Sequence, residues 1–160
     1  MIEIVEYKPE HQPYFERFNK AWIEKYFWLE DIDKYVLENP AEAIIGEGGA
    51  ILMATYNGVV AGTVALKKVN EEVYEFTKMA VDEGYRRRGI AEALSYASFE
   101  RARELGATKV ILYSNTALEG AIIMYKKIGF KEIPIGNTVY KRSDIKMEIQ
   151  LNNIPEPHNQ

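Results

Sequence analysis

The sequence contains no cysteine, and its two histidines, His11 and His158, lie in polar surroundings. The absence of cysteine excludes disulfides, thiolate metal ligands and a cysteine nucleophile. With only two histidines, the sequence also argues against a zinc site and against a Ser-His-Asp triad. We therefore expect chemistry that needs neither a metal ion nor a covalent cysteine intermediate.

Long apolar runs and an excess of positive charge are also missing. No segment approaches the ~20 apolar residues that span a bilayer, and the first residues lack the layout of a secretory signal. The formal net charge is -4, whereas a general nucleic-acid binder gains affinity from many lysines and arginines. These observations predict a cytoplasmic protein that binds neither a membrane nor nucleic acid. With 160 residues, 47% of them apolar, the chain is long enough for one domain with a buried core.

The spacing of apolar residues predicts both strands and helices. Strands are expected near residues 2–7, 50–56, 59–66, 73–81, 109–113, 130–133 and 145–151, and helices near residues 12–28, 30–38, 89–105 and 118–128. Asn57-Gly58 predicts a two-residue type I′ turn between two of these strands. The fold class is therefore α+β, with a single mixed, mostly antiparallel sheet flanked by helices in the order β-α-α-β-β-β-α-β-α-β-β. The domain is expected to cover residues 1–151, followed by a polar tail at 152–160.

The predicted strand 73–81 carries charged residues on both of its faces. Strict alternation places its even-numbered residues on one face and its odd-numbered residues on the other. Lys78 is then expected on the face of Phe76, and Glu75 on the face of Met79 and Val81.

Three arginines stand between this strand and the next helix. The segment consists of Arg86, Arg87, Arg88, Gly89, Ile90 and Ala91. The first N–H groups of a helix have no intrahelical partner, so with the helix dipole and the arginines they suit an anion such as pyrophosphate. Gly89 would let the backbone approach that anion without a Cβ in the way. The alternative is that the arginines form only a solvated basic turn.

A second segment, Ala-Ile-Ile-Met-Tyr-Lys-Lys-Ile-Gly-Phe at residues 121–130, completes a recognisable pattern. With the arginine segment and the order of elements, it resembles the GNAT superfamily of acyl-CoA N-acyltransferases. The first motif matches (Arg or Gln)-x-x-Gly-x-(Gly or Ala) at Arg86, Gly89 and Ala91, and the second matches Ala-Ile-x-x-Tyr-x-x-x-Gly-Phe. The resemblance spans residues 2–151. It implies the fold of that family and acetyl transfer from acetyl-CoA to a primary amine by direct attack in a ternary complex.

The resemblance implies two catalytic side chains. Tyr125 would be the general acid for the departing thiolate, and a phenol of pKa about 10 is well matched to a thiol that titrates near about 8.5. Glu75 would be the general base, acting directly or through water. The alternatives are a core tyrosine and a glutamate on a solvated face of the sheet.

The resemblance also implies how the cofactor arm is held. The main chain of Met79, Ala80 and Val81 would bond the pantetheine arm and polarise the thioester carbonyl. The asparagine that family members commonly carry seven residues before the tyrosine is replaced here by Leu118, and Asn115 is the candidate for the same contact. The arginine segment and Tyr125 complete the expected acetyl-CoA site.

The acceptor side of the family is built from the first two helices and a later loop. The residues implied here are Trp22, Tyr26, Phe27, Glu30 and Tyr140, although Trp22 and Tyr26 have the alternative of being simply core. The acceptor would be a small-molecule amine or a peptide, and the protein a monomer or a homodimer. An alternative function is a catalytically idle acyl-CoA-binding sensor, which would keep the arginine segment without needing Tyr125 or Glu75.

Overall fold

The structure is a computed structural model that describes residues 1–138 and 140–153. The strands are β1 (Ile2–Glu6), β2 (Ala50–Tyr56), β3 (Val59–Lys68), β4 (Val73–Val81), β5 (Lys109–Ser114), β6 (Lys131–Ile133) and β7 (Ile145–Gln150). The helices are α1 (Gln12–Tyr26), α2 (Asp31–Glu38), α3 (Ile90–Glu104) and α4 (Glu119–Ile128). Most of the predicted tail, residues 154–160, lies outside the described residues.

The strands form one mixed sheet in the order β1-β2-β3-β4-β5-β7-β6. β4 and β5 run parallel, and the other neighbouring strands in the described sheet run antiparallel. α3 makes the crossover that a parallel pair requires. The predicted fold class and order of elements are thus confirmed.

Apolar side chains form a separate core on each face of the sheet. One core contains Phe76, Phe99 and Phe130 beneath α3 and α4, and the other contains Phe15 and Leu37 beneath α1 and α2. Each large apolar side chain that is fully buried contributes roughly 1.5–3 kcal/mol to folding. The two cores therefore fix both pairs of helices against the sheet.

α3 lies unusually close to the sheet because β3 carries a glycine beneath it. A Cβ on Gly62 would lie 3.0 Å from Cγ2 of Ile90 and 3.2 Å from Cδ1 of Leu94. Such contacts are tighter than ordinary packing, so a larger residue would push the first turn of α3 away from β3. The position of that first turn matters because it forms part of the candidate site.

The predicted turn at Asn57-Gly58 is confirmed. It connects β2 to β3, and both residues have positive φ, 49° for Asn57 and 85° for Gly58. This is the backbone conformation that a type I′ turn requires.

A β-bulge at Lys78 changes the faces of β4. Ala65 pairs with Thr77 and Thr63 pairs with Ala80, so one residue of β3 opposes two of β4, and Lys78 has a φ of 55°. An extra residue reverses the alternation beyond it. The prediction that Lys78 shares a face with Phe76 is therefore wrong: Lys78 contacts Asp33 of α2.

Because of the same bulge, the prediction that Glu75 shares a face with Met79 and Val81 is also wrong. Met79 and Val81 pack with the core of Phe76, whereas Glu75 bonds Tyr140 on the other face. The prediction from strict alternation is wrong because a sequence pattern does not show where an extra residue interrupts the pairing of two strands.

Helix bounds differ from the predictions by a residue or two, as helix ends commonly do. α1 ends at Tyr26 rather than at residue 28, and α3 begins at Ile90 with Gly89 just before it. A π-helical turn at Ala41–Ile45 was not predicted. Within the described ranges, no helix combines the length and the apolar character needed to cross a bilayer.

Candidate active site

The parallel strands β4 and β5 pair only at their beginning. Val73, Tyr74 and Glu75 pair with β5, although β4 continues to Val81 and β5 to Ser114. Beyond Glu75 the two strands diverge. The main-chain groups of residues 79–81 on the edge of β4 that faces β5 are therefore available to a ligand.

A wide groove of about 520 Å³ runs along this free edge. Its lining combines the end of β4, the arginine loop, the first turn of α3 and one side of α4. Residues predicted from the sequence that line it are Met79, Ala80, Val81, Arg86, Arg87, Gly89, Ile90, Ala91 and Tyr125. The structure thus brings these predicted cofactor residues together in one groove.

The loop before α3 has the geometry of an anion site. Arg87 and Gly89 both have left-handed backbone conformations, with φ of 64° and 82°. Gly89 stands next to the right-handed Ile90 that begins α3. A left-handed residue beside a right-handed one turns successive N–H groups toward a common point, and the start of α3 adds its own unpaired N–H groups. Because Gly89 has this φ and no atom lies within 4 Å of a Cβ built on it, glycine is favoured there by conformation and not by space.

Arg88 occupies a different position from its two neighbours. Its guanidinium lies 5.0 Å from the ring centroid of Tyr56 and 5.4 Å from that of Tyr85, and it does not line the wide groove. This is cation–π geometry. The sequence alone does not distinguish the three arginines, but the backbone conformation places Arg88 against Tyr56 and Tyr85 instead of in the groove.

A small cavity of about 90 Å³ lies where β4 and β5 diverge, on the other side of Tyr125. Its walls come from α1, β4, β5 and the segment before β7. The side chains relevant to chemistry are those of Asn19, Trp22, Phe27, Glu75, Lys78, Tyr125, Tyr140 and Arg142. Trp22, Met79 and Tyr125 line both the small cavity and the wide groove.

Tyr125 lines both the small cavity and the wide groove, and its ring is packed against other aromatic rings. Its ring makes edge contacts with Phe76 and Phe130, with centroids 5.9 and 5.8 Å apart. Desolvation raises the pKa of Tyr125 to about 12. The phenol therefore stays protonated at neutral pH, as a proton donor must.

Glu75 is buried, with only 6% of its surface exposed. The hydroxyl of Tyr140 donates a hydrogen bond of 2.9 Å to its Oε2. Burial raises the pKa of Glu75, although the hydrogen bond from Tyr140 acts in the opposite direction. Burial and the neighbouring Glu75 raise the pKa of Tyr140 as well. The alternative of a glutamate on a solvated sheet face is excluded.

A cluster of charges lies behind this pair, centred on the fully buried Asp33. Arg142 donates two hydrogen bonds to the carboxylate of Asp33, of 2.6 and 3.0 Å, and Nζ of Lys78 lies 3.2 Å from it. Burial alone would raise the pKa of Asp33, but the hydrogen bonds from Arg142 and the charge of Lys78 outweigh it and hold that pKa low. Burial lowers the pKa of Lys78, and Asp33 opposes this.

Several predicted residues have different environments from those expected. Tyr26 is 46% exposed and does not line the small cavity. Glu30 forms an ion pair with Arg142 at 3.0 Å and accepts the N–H of Lys141, so it joins α2 to the segment before β7.

Asn115 lines the small cavity and not the wide groove. Its Nδ2 donates to the main-chain oxygen of Arg142 at 2.6 Å, and its Oδ1 accepts the N–H of Ala117 at 2.8 Å. The side chain therefore orders two segments of the main chain.

Sequence reasoning missed Asp33, Lys78 and Arg142 as site residues. They come from α2, β4 and a loop, separated by up to 109 residues, and no local motif contains them. The only signal in the sequence is a lysine within the otherwise apolar end of β4.

A mixed sheet that opens at its one parallel pair, beside an anion loop at a helix start, is the architecture of the acyl-CoA N-acyltransferases. The sequence profile of the Acetyltransferase (GNAT) family matches residues 6–130. The chain belongs to the Acetyltransferase (GNAT) family, which confirms the resemblance.

Individual relatives agree with this assignment. N-acetylaspartate synthetase from Xenopus tropicalis is 30% identical over 108 residues, which are 67% of this chain and 37% of that protein. N-acetyltransferase 8 from Mus musculus is 29% identical over 90 residues, 53% of this chain and 40% of that protein. The chain thus spans less than half the length of these two relatives.

Solved structures share the fold at low sequence identity. An acetyltransferase of the GNAT family from Staphylococcus aureus Mu50 superposes with a TM-score of 0.83 at 21% identity, covering 94% of this chain and 99% of that one. YncA, a putative acetyltransferase from Salmonella typhimurium solved with acetyl-CoA, superposes with a TM-score of 0.74 at 15% identity, covering 99% of both chains.

Proposed function

We propose that the protein is an N-acetyltransferase that transfers an acetyl group from acetyl-CoA to a primary amine of a small molecule or peptide. The observation that carries this proposal is that Tyr125 and Met79 line both the wide groove and the small cavity. A thioester in the groove and an amine in the cavity would meet beside Tyr125. The absence of cysteine removes the obvious covalent carrier of the acetyl group, which favours direct attack in a ternary complex.

The wide groove fits the cofactor. Arg86, Arg87 and the N–H groups at the start of α3 would hold the pyrophosphate, because exposed donors and a helix N-terminus converge there. The free main chain of residues 79–81 would bond the pantetheine arm and polarise the carbonyl oxygen. Bound acetyl-CoA supplies an activated acyl group and a thiolate leaving group.

Tyr125 would protonate that thiolate. Its raised pKa of about 12 keeps the phenol protonated at neutral pH, but it also widens the gap to a thiol that titrates near about 8.5. The packing of its ring against Phe76 and Phe130 holds the side chain in one orientation, which favours transfer to a fixed point.

Glu75 would accept the proton of the attacking amine, directly or through water. An alkyl ammonium with a pKa of about 10.4 is mostly protonated at neutral pH, so a base must act before attack. Burial raises the pKa of Glu75 toward the neutral range in which a general base is most effective. Tyr140 holds the carboxylate in place.

The decisive experiment measures release of the CoA thiol with acetyl-CoA and a panel of amines and peptides. We expect turnover with at least one acceptor, and Tyr125→Phe should lower kcat on the order of 100-fold while the Kd for acetyl-CoA stays unchanged. Tyr96→Phe is the matched control, because Tyr96 packs on Phe99 of the same core and lines neither space.

Two results would overturn the proposal. Saturable binding of acetyl-CoA without turnover of any acceptor would instead support the idle acyl-CoA-binding sensor. Absence of saturable binding would exclude both functions.

A further inference from the structure

The small cavity has a buried cation in its wall. The side chain of Lys78 is only 4% exposed and yet lines the cavity. A left-handed φ of 55° is uncommon for a residue with a side chain. The β-bulge that imposes it is also what directs Lys78 to this face of the sheet.

The charges around the cavity are arranged in two layers. The cations Lys78 and Arg142 line the cavity, whereas the carboxylates Asp33 and Glu30 that pair with them do not. Glu75, the proposed base, also lines the cavity, and its Oε2 accepts the hydrogen bond from Tyr140. The charged side chains that line the cavity are therefore two cations and this one carboxyl group.

The ammonium of Lys78 has two close partners, Asp33 and the ring of Tyr140, whose centroid lies 5.2 Å from Nζ, and Asp33 alone cannot accept hydrogen bonds from all three of its N–H groups. Across residues 1–138 and 140–153, Asp33 is the one carboxylate within 4.0 Å of Nζ of Lys78. The same carboxylate accepts two hydrogen bonds from Arg142 and one from the N–H of Glu30. An ammonium has three N–H donors, and a buried cation is costly unless its donors are paired. A ligand with an anionic group in the cavity would supply the missing partner.

We propose that the acceptor is a primary amine that also carries a small anionic group, such as a carboxylate, which Lys78 and Arg142 bind. This inference rests on the proposed N-acetyltransferase function and names its substrate class. The amine nitrogen attacks the thioester carbonyl, an amide bond forms, and the carbon–sulfur bond breaks. The amine's proton goes to Glu75, directly or through water, and the thiol leaves with the proton of Tyr125.

The dimensions of the cavity limit the distance between the two groups. A volume of about 90 Å³ has room for several water molecules or one small ligand, since a water needs roughly 10–15 Å³ of such volume. Only a few atoms can separate an amine near Glu75 from an anion at Lys78. An amino acid meets this condition, whereas the N-terminus of a peptide whose first residue is neutral does not.

The experiment compares acceptors with and without an anionic group, using thiol release by the intact protein with acetyl-CoA. The pairs are glycine with glycinamide, β-alanine with β-alaninamide, and O-phosphoethanolamine with ethanolamine. We expect kcat/KM to be roughly 100-fold higher for the anionic member of at least one pair, mainly through KM. A carboxamide lowers the pKa of its amine and makes it more reactive at neutral pH, so intrinsic reactivity favours the opposite order. The phosphate pair separates a carboxylate site from a phosphate site.

Variants at residue 78 test whether the side chain of Lys78 causes the preference for anionic acceptors. Lys78→Met keeps the length but removes the charge, and should lower kcat/KM far more for the anionic acceptors than for the amides. Lys78→Arg should recover part of the preference, because it restores a cation. The KM for acetyl-CoA and the thermal midpoint of each variant report whether the groove and the fold are intact.

Each result has a separate meaning. Equal or faster turnover of the neutral acceptors by the wild-type protein would overturn this inference and leave the acetyltransferase proposal standing. A preference that survives in Lys78→Met would also overturn it. If acetyl-CoA binds but no amine in any panel releases thiol, the proposed function itself fails.

Discussion

The wide groove and the small cavity lie on either side of Tyr125, but they are built differently. The groove takes most of its lining from residues 79–92 and uses main-chain groups and a helix start. The cavity collects side chains from α1, β4, β5 and the segment before β7, far apart in the sequence. A site made from a continuous backbone segment is visible as a motif, whereas a site made from distant side chains is not.

The two regions also differ in how their positive charges are held. Arg86 and Arg87 are exposed, so salt screens their interactions strongly. Lys78 is buried, Arg142 is partly buried, and both are paired with Asp33, so salt screens their interactions less. We therefore expect the groove to respond to ionic strength and the cavity to respond to loss of a charge partner.

The largest effect is expected from Asp33→Asn, which tests how much the buried carboxylate of Asp33 contributes to the free energy of unfolding. Removal of one partner from a buried charge cluster costs roughly 3–5 kcal/mol, because the buried Lys78 and the partly buried Arg142 would both lose the charge of their shared partner. Denaturant unfolding of both proteins measures the difference in free energy. Asp31→Asn is the matched control, since Asp31 is exposed on the same helix and should change stability by less than about 0.5 kcal/mol. Equal effects of the two variants would contradict the assigned role of Asp33.

A smaller effect is expected in the groove from the double variant Arg86→Gln/Arg87→Gln. Loss of two charges near the proposed pyrophosphate site should weaken acetyl-CoA binding by roughly 10-fold at low salt, and by less at high salt because of screening. Isothermal titration at two ionic strengths measures this. Arg88→Gln provides the comparison, since its guanidinium packs on Tyr56 and Tyr85 and should influence stability more than affinity. An Arg88 variant that weakens binding as much as the pair would contradict the separate role assigned to Arg88.

The smallest effect is expected in the pH dependence of stability, to which the carboxylates of Glu75 and Asp33 contribute with opposite signs. The pKa of Glu75 is raised above its ordinary value of 4.5, so the native state binds more protons than the unfolded state from about that pH upward. Its contribution to stability therefore falls as pH rises through the folded pKa. The pKa of Asp33 is lowered below 3.8, so its contribution is present above that value and is lost as pH falls through the folded pKa.

Glu75→Gln isolates the first of these contributions. Its stability relative to wild type should rise as pH increases from about 4.5 toward neutrality, because the variant no longer has a buried carboxyl to ionise. Unfolding free energies measured at several pH values test this. A flat difference between variant and wild type would mean that Glu75 titrates alike in the folded and unfolded protein.

Different parts of the candidate site were predictable to different degrees. The arginine segment and Tyr125 were found from two motifs, and apart from Arg88 these residues line the groove where they were expected. The residues proposed for the acceptor side were predicted less well. Trp22, Phe27 and Tyr140 line the small cavity, but Tyr26 is exposed and Glu30 is paired with Arg142.

The sequence by itself determined the order of strands and helices, the Asn57-Gly58 turn and the position of the anion loop. These features depend on residues close together in the chain, through apolar periodicity, permissive φ values and unpaired helix N–H groups. Only the tertiary structure decided which face Lys78 occupies and that Asp33 is its partner. A bulge of one residue reverses a strand's faces, and a buried ion pair between distant elements leaves no periodic trace, so both appear only once the sheet and α2 have packed.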